Sequence, residues 1–171
     1  RGLDPLTDNL VVADWDCSDA TICLAVSPSL QAKGLGDGCR VLDIPEDTPC
    51  SVAKPQMERY MEVATLIYRT YLRYVSPCDI HVYSIDECFI DATPHLASHR
   101  TDAYGFARML IEAVRDETGI CATVGVGTNL FLAKVALDVL AKHEGSGVAV
   151  LDERAFRREV WFHRPITDIR S

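Results

Sequence analysis

Ile80-His81-Val82-Tyr83-Ser84-Ile85-Asp86-Glu87-Cys88-Phe89-Ile90-Asp91 reads as strand, bend, strand, and the fold follows from it. Ile80 to Ser84 and Cys88 to Asp91 are the two strands, with Asp86 and Glu87 at or near the turn. Strict alternation would send these two acidic side chains to opposite faces, so they can serve one site only if the backbone bends between the strands. Adjacent carboxylates at a strand end have two readings. One is a solvated turn. The other is a hard-oxygen seat for Mg²⁺, which takes one or two protein carboxylates and completes its shell with water and substrate phosphate.

Outward from this hairpin, the pattern is helical on both sides. Upstream, Pro55 suits a first turn. Met57, Tyr60, Met61, Ala64, Ile67, Tyr68, Tyr71, Leu72 and Val75 then recur at helical spacing, until Pro77. A tyrosine stripe can imitate a base-stacking platform, but this spacing reads as core. Downstream, Ala103 to Thr118 is amphipathic, with Asp102 as N-cap and Gly119 closing it. Cys121 to Val126 is a strand, Leu130 to Lys142 a helix, Gly147 to Leu151 a strand, and Arg154 to Trp161 a short helix before a break at Pro165. The order from residue 54 is α, β, β, α, β, α, β, α. It predicts an α+β fold, of which the ferredoxin-like arrangement is one member.

The N-terminal third differs. Leu10 to Ala13 and Thr21 to Val26 suggest a hairpin, and Ser29 to Lys33 a short helix closed by Gly34. Residues 34–53 carry three glycines and two prolines with little periodicity, and read as a linker. The expected organisation is a small region over 1–53 and a larger subdomain over 54–171.

Two further signals could carry chemistry. Gly125-Val126-Gly127-Thr128-Asn129 opens a helix and could admit phosphate, or be a plain strand-to-helix turn; it lacks the ending of a P-loop. The following helix is apolar nearly all round except for Lys134, Asp138 and Lys142, spaced four apart. They read either as an exposed stripe of ion pairs or as a mount that holds Lys134 over a bound triphosphate.

The totals limit the classes. With 48% hydrophobic and 25% charged residues the chain is globular rather than disordered. No run approaches the about 18 apolar residues of a membrane span, and no signal peptide opens the chain, which predicts a cytoplasmic protein. Its seven cysteines are scattered, odd in number and without a CxxC pair, which argues for reduced packing thiols rather than zinc. The net charge of −8 opposes a broad phosphate grip, so any nucleic-acid contact must be local or lie outside these residues.

Val82 to Thr93, VYSIDECFIDAT, resembles the palm signature of Y-family (UmuC-like, ImpB/MucB/SamB-type) translesion DNA polymerases, around their Ser-x-Asp-Glu. Gly119 to His143, with its Asn-x-x-Leu-Ala-Lys run, resembles the strand and helix that follow in that family. The opening LDPLTDNLVVAD…TICLAVSPSLQAKGLG is similar to the family's fingers, and HRPITDI to the approach to its thumb. The resemblance implies a ferredoxin-like palm, with a mixed or antiparallel sheet and helices on one face, plus small fingers. It implies a two-Mg²⁺ nucleotidyl-transfer site with Asp86 and Glu87 as catalytic metal ligands and Lys134 on the nucleotide phosphates. Ser84 would support the primer end or the turn, and Lys33 would face the triphosphate. Leu30 stands where many relatives carry a tyrosine. Implied partners are primer–template DNA, dNTP and a sliding clamp, at a bacterial nucleoid.

The resemblance also marks absences. Family members begin with a strand bearing a catalytic aspartate and an aromatic steric gate, and this chain starts just past them, at Arg1. Asp14 and Asp16 look superficially like that aspartate pair but read as hairpin-loop residues. The thumb and little finger lie beyond Ser171. The expectation is an incomplete palm, inactive alone. Two rivals remain: a palm-derived interaction fragment without catalysis, and a nucleotide cyclase, which should show a GGDEF-like turn where this chain has Ser-Ile-Asp-Glu.

Overall fold

The computed structural model describes residues 2–163 apart from Trp15, Cys17, Asp19 and Asp37, and leaves out the side chain of His143. The expected break at Pro165 lies outside the described residues. The chain divides into two compact units, residues 1–58 and 59–171.

In the first unit, β1 (Leu10–Val12) pairs antiparallel with β2 (Ala25–Val26), as the hairpin reading expects, and Val11 faces Val26. Alternation sets the inward face: Val11 and Ala13 are fully buried. They pack with Cys23, Val26, Leu30 and Leu35. Helix α1 (Pro28–Gln31) contributes Leu30 to this core, and Pro28 fits its first turn because the missing N–H would be unsatisfied there anyway. Residues 34–53 are not a plain linker. Val41–Asp43 form a 3₁₀ turn, and Ser51–Ala53 form β3, parallel to β1 with Val52 opposite Val11. A three-residue parallel strand carries no local signature, because its partner lies about forty residues away in sequence.

The second unit begins within α2 (Met57–Tyr71). The core stripe expected from sequence holds only at its C-terminal end, where Tyr71 and the following Val75 pack with Phe106 and Leu110. Thr70 is its one buried residue, while Met57, Tyr60, Met61 and Leu66 are exposed. β4 (Ile80–Val82) and β5 (Cys88–Ile90) form the antiparallel hairpin, with Val82 opposite Cys88. α3 (Thr93–His99) is an additional helix that the sequence pattern did not expose. Its His95 meets Asp79 at 2.8 Å, and its C-cap Arg100 adopts a left-handed conformation.

α4 (Ala103–Thr118) has the bounds and caps expected of it. Asp102 accepts the Gly105 N–H, and Gly119 turns left-handed at φ 73°. It buries two adjacent ridges. Phe106 and Leu110 pack with Val75, Ile80 and Ile90, whereas Ala107 and Ile111 pack with Val148, Val124 and Val126. The helix thus joins the hairpin to a second pair of strands, β6 (Val124–Gly127) and β7 (Val148–Leu151), which run parallel. Burying a phenylalanine such as Phe106 contributes about 1.5–3 kcal/mol.

Between β6 and β7 the chain forms α5 (Leu130–Val135), a π turn over Ala136–Leu140 and a 3₁₀ turn over Ala141–His143. Leu132, Val135, Ala136 and Ala141 pack against Ala149, Leu151 and Val160. α6 (Glu153–Ala155) follows and continues as a π turn to Val160. The result is a mixed α+β architecture built from three small sheets. The six described cysteines are free thiols.

Candidate functional site at the β4–β5 turn

The turn is closed by the backbone. The N–H groups of Tyr83 and Ser84 both donate to the Glu87 carbonyl, at 3.0 and 3.1 Å, leaving Ser84, Ile85 and Asp86 in the bend. This bend takes Asp86 out of the strands' alternation. The Ser84 hydroxyl donates to Asp86 Oδ1 at 2.8 Å, which orients an otherwise exposed carboxylate. Glu87 sits at the base of the bend, half-buried.

Lys134 arrives from α5. Asn129 caps that helix by accepting the Leu132 N–H at 2.9 Å. The seat of α5 on β6 depends on two glycines. A Cβ on Gly125 would lie 2.1 Å from the Ala133 carbonyl oxygen, and one on Gly127 would lie 2.3 Å from the Ala133 nitrogen. The space beside these glycines is therefore filled by helix backbone, and the phosphate-admitting reading of Gly125 and Gly127 gives way to close strand–helix packing.

Seated in this way, Lys134 donates from Nζ to both carboxylate oxygens of Glu87, at 2.8 and 2.9 Å. The ammonium also lies 5.6 Å from the centroid of the Tyr83 ring, whose edge meets Phe89. Asp138, one turn on, stands 3.5 Å from Lys134 Nζ through Oδ2 and 3.7 Å from Lys142 Nζ through Oδ1. The spacing of four does give ion pairs, but only Lys142 is exposed: the Asp138 side chain is 1% accessible and that of Lys134 13%. Burial by itself would lower the Lys134 pKa. The Glu87 hydrogen bonds and the charge of Asp138 outweigh it and hold the ammonium above the ordinary lysine value.

The structure thus brings Ser84, Asp86, Glu87 and Lys134 to one turn. Lys33 belongs to the first unit, where its ammonium donates to the Asn9 side chain at 3.3 Å. Leu30 is wholly buried in that unit's core. Asp14 and Asp16 lie in the β1–β2 connection, where Asp16 pairs with Lys54. Of two further participants, Tyr83 was not singled out from sequence, whereas Asp138 was, in the charged stripe with Lys134 and Lys142. The Tyr83 ring gave no signal beyond strand composition.

Among the described residues no three His, Cys, Asp or Glu side chains cluster as metal ligands. The pair Asp86 and Glu87 nonetheless fits the hard-oxygen chemistry Mg²⁺ asks of a protein, with the Asp86 carboxylate exposed to solvent. To serve, Glu87 would exchange an ammonium for the metal.

The chain matches the model of the impB/mucB/samB family over residues 2–138. It is 34% identical to the putative UV-damage repair protein UvrX of Bacillus subtilis over 97% of its own length and 39% of that protein's. It is 33% identical to DNA polymerase IV 2 of the same organism, over 82% of this chain and 34% of the relative. The chain thus spans well under half the length of these relatives. Among solved structures, a Y-family DNA polymerase chimera of Dbh and Dpo4 superposes with a TM-score of 0.74 at 20% identity, covering 88% of this chain and 43% of that one. At that identity the likeness speaks for the fold. No helix among the described residues is long and apolar enough to cross a membrane.

Proposed function

The chain belongs to the impB/mucB/samB family, and from that premise we propose that it supplies the palm and fingers of a translesion DNA polymerase. In this reading residues 59–171 form the palm and the first unit the fingers. The reaction is nucleotidyl transfer from a dNTP to a primer 3′-hydroxyl opposite a damaged template, at the bacterial nucleoid with a sliding clamp as partner. The observation that carries the reading is the Lys134 ammonium held by Glu87 beside the Asp86 turn.

Asp86 and Glu87 would hold Mg²⁺, which when bound activates the attacking oxygen and balances charge on the leaving pyrophosphate. Lys134, an ammonium at neutral pH, presents a positive charge to the triphosphate and gives up Glu87 as it does so. The Ser84 hydroxyl fixes the Asp86 carboxylate, so that less ordering is left for the moment of binding.

The test is primer extension with Mg²⁺ and all four dNTPs. A chimera in which these residues replace the matching stretch of Bacillus subtilis DNA polymerase IV 2 should extend a primer, and Asp86→Asn or Glu87→Gln should each reduce kcat by about 10³-fold or more. The 171 residues alone should show no extension above background, because they span well under half the length of the relatives. A chimera that folds but retains activity in both variants overturns the reading. Activity of the 171 residues by themselves overturns that expectation.

A further inference from the structure

Among the described residues Asp138 is the one buried charge. A carboxylate removed from water costs several kcal/mol unless partners compensate it. Here the partners are two ammonium groups, from Lys134 and Lys142, one on each oxygen. The residue also lies within the π turn of Ala136–Leu140, where the Ala141 N–H reaches back five residues to the Ala136 carbonyl. Such widened turns are rare and recur at functional sites. Charges therefore alternate in one line: Glu87, Lys134, Asp138, Lys142.

The consequence concerns Lys134. A lysine reaches its target on a flexible four-carbon stem and delivers a fixed charge only when something holds it. In the present state Glu87 holds it through two hydrogen bonds. Under the proposed function, Glu87 must release the ammonium, and among the described residues Asp138 is then the remaining carboxylate within 4 Å of Lys134 Nζ. The geometry points to Asp138 as a positioning residue that keeps the Lys134 ammonium aimed at the β4–β5 turn after Glu87 has let it go. This inference rests on the polymerase reading for its purpose, but the anchoring itself can be tested without it.

Glu87→Gln stands in for the released state. The motion of the Lys134 ε-methylene, read by ¹³C relaxation, should stay restricted in Glu87→Gln. It should become markedly freer once Asp138→Asn is added. Asp138→Leu, apolar and of similar bulk, serves if the asparagine variant fails to fold, and a thermal melt identifies that case. Equal mobility of Lys134 with and without Asp138 overturns the anchor. In the polymerase chimera, Asp138→Asn should raise the dNTP KM about tenfold with a smaller change in kcat. It should add nothing in a Lys134→Ala background, whereas a purely structural role would give additive losses. Additive losses overturn the positioning role. An inactive parent chimera sinks the polymerase reading instead, while the relaxation result still decides the anchor.

Discussion

One added methyl group at position 125 would test how the site is held together. The Gly125 α-carbon lies against the backbone of α5, and a Cβ there meets the Ala133 oxygen and the Leu137 nitrogen at 2.1 and 2.3 Å. Backbone atoms cannot rotate aside as a side-chain tip can, so Gly125→Ala must push α5 off β6. We expect a loss of about 2–4 kcal/mol in urea unfolding, and with it a loosened Lys134–Glu87 pair. An alanine variant as stable as the parent would show that the helix seat is soft. At this scale the sequence was informative where chemistry constrains residue type. Asp86, Glu87 and Lys134 stood out; Glu87 and Lys134 are hydrogen-bonded, and Asp86 sits in the adjoining bend. The sequence was silent where burial decides. Three charges four apart look the same on a wet stripe as on a covered one, and only the packing of α5 and its π turn shows that Asp138 is inside.

Among the elements, α4 and α2 make the contrast. Both have apolar residues at helical spacing, but α4 also carries its own punctuation, and its bounds were legible to the residue. Removing the cap with Asp102→Ala should cost about 1 kcal/mol, because the Gly105 N–H loses its acceptor. A chevron or equilibrium melt checks this, and no change would mean that water replaces the cap freely. In α2 the spacing foretold an amphipathic helix correctly but not what covers its apolar face. Periodicity reports which residues share a face, and burial depends on contacts that periodicity does not contain. Since Met61 is 55% exposed, Met61→Glu should move stability by no more than about 0.5 kcal/mol, a result that a core stripe would forbid. β3 escaped notice for a related reason: it exists through parallel pairing with β1, a contact written nowhere in Ser51–Ala53 itself.

For the whole molecule, charge sets the sharpest expectation. The net −8 is unevenly shared: residues 1–58 hold four basic and ten acidic side chains, residues 59–171 thirteen and fifteen. The second unit is close to neutral, and the first carries most of the acidity. DNA affinity arises mainly from lysines and arginines that displace counterions from phosphates, and neither unit has the surplus for it. Labelled primer–template DNA titrated with these 171 residues in about 150 mM salt should therefore bind more weakly than about 10 µM by fluorescence anisotropy. The affinity should change little between low and moderate salt, because few counterions are released. If the chimera binds and extends DNA, the grip then comes from the polymerase IV flanks, while this chain would contribute the turn proposed to hold metal and triphosphate. Sub-micromolar binding with a steep salt dependence would contradict that division, and would mean that the thirteen basic residues of the second unit gather into a patch strong enough to overcome the acidity around it.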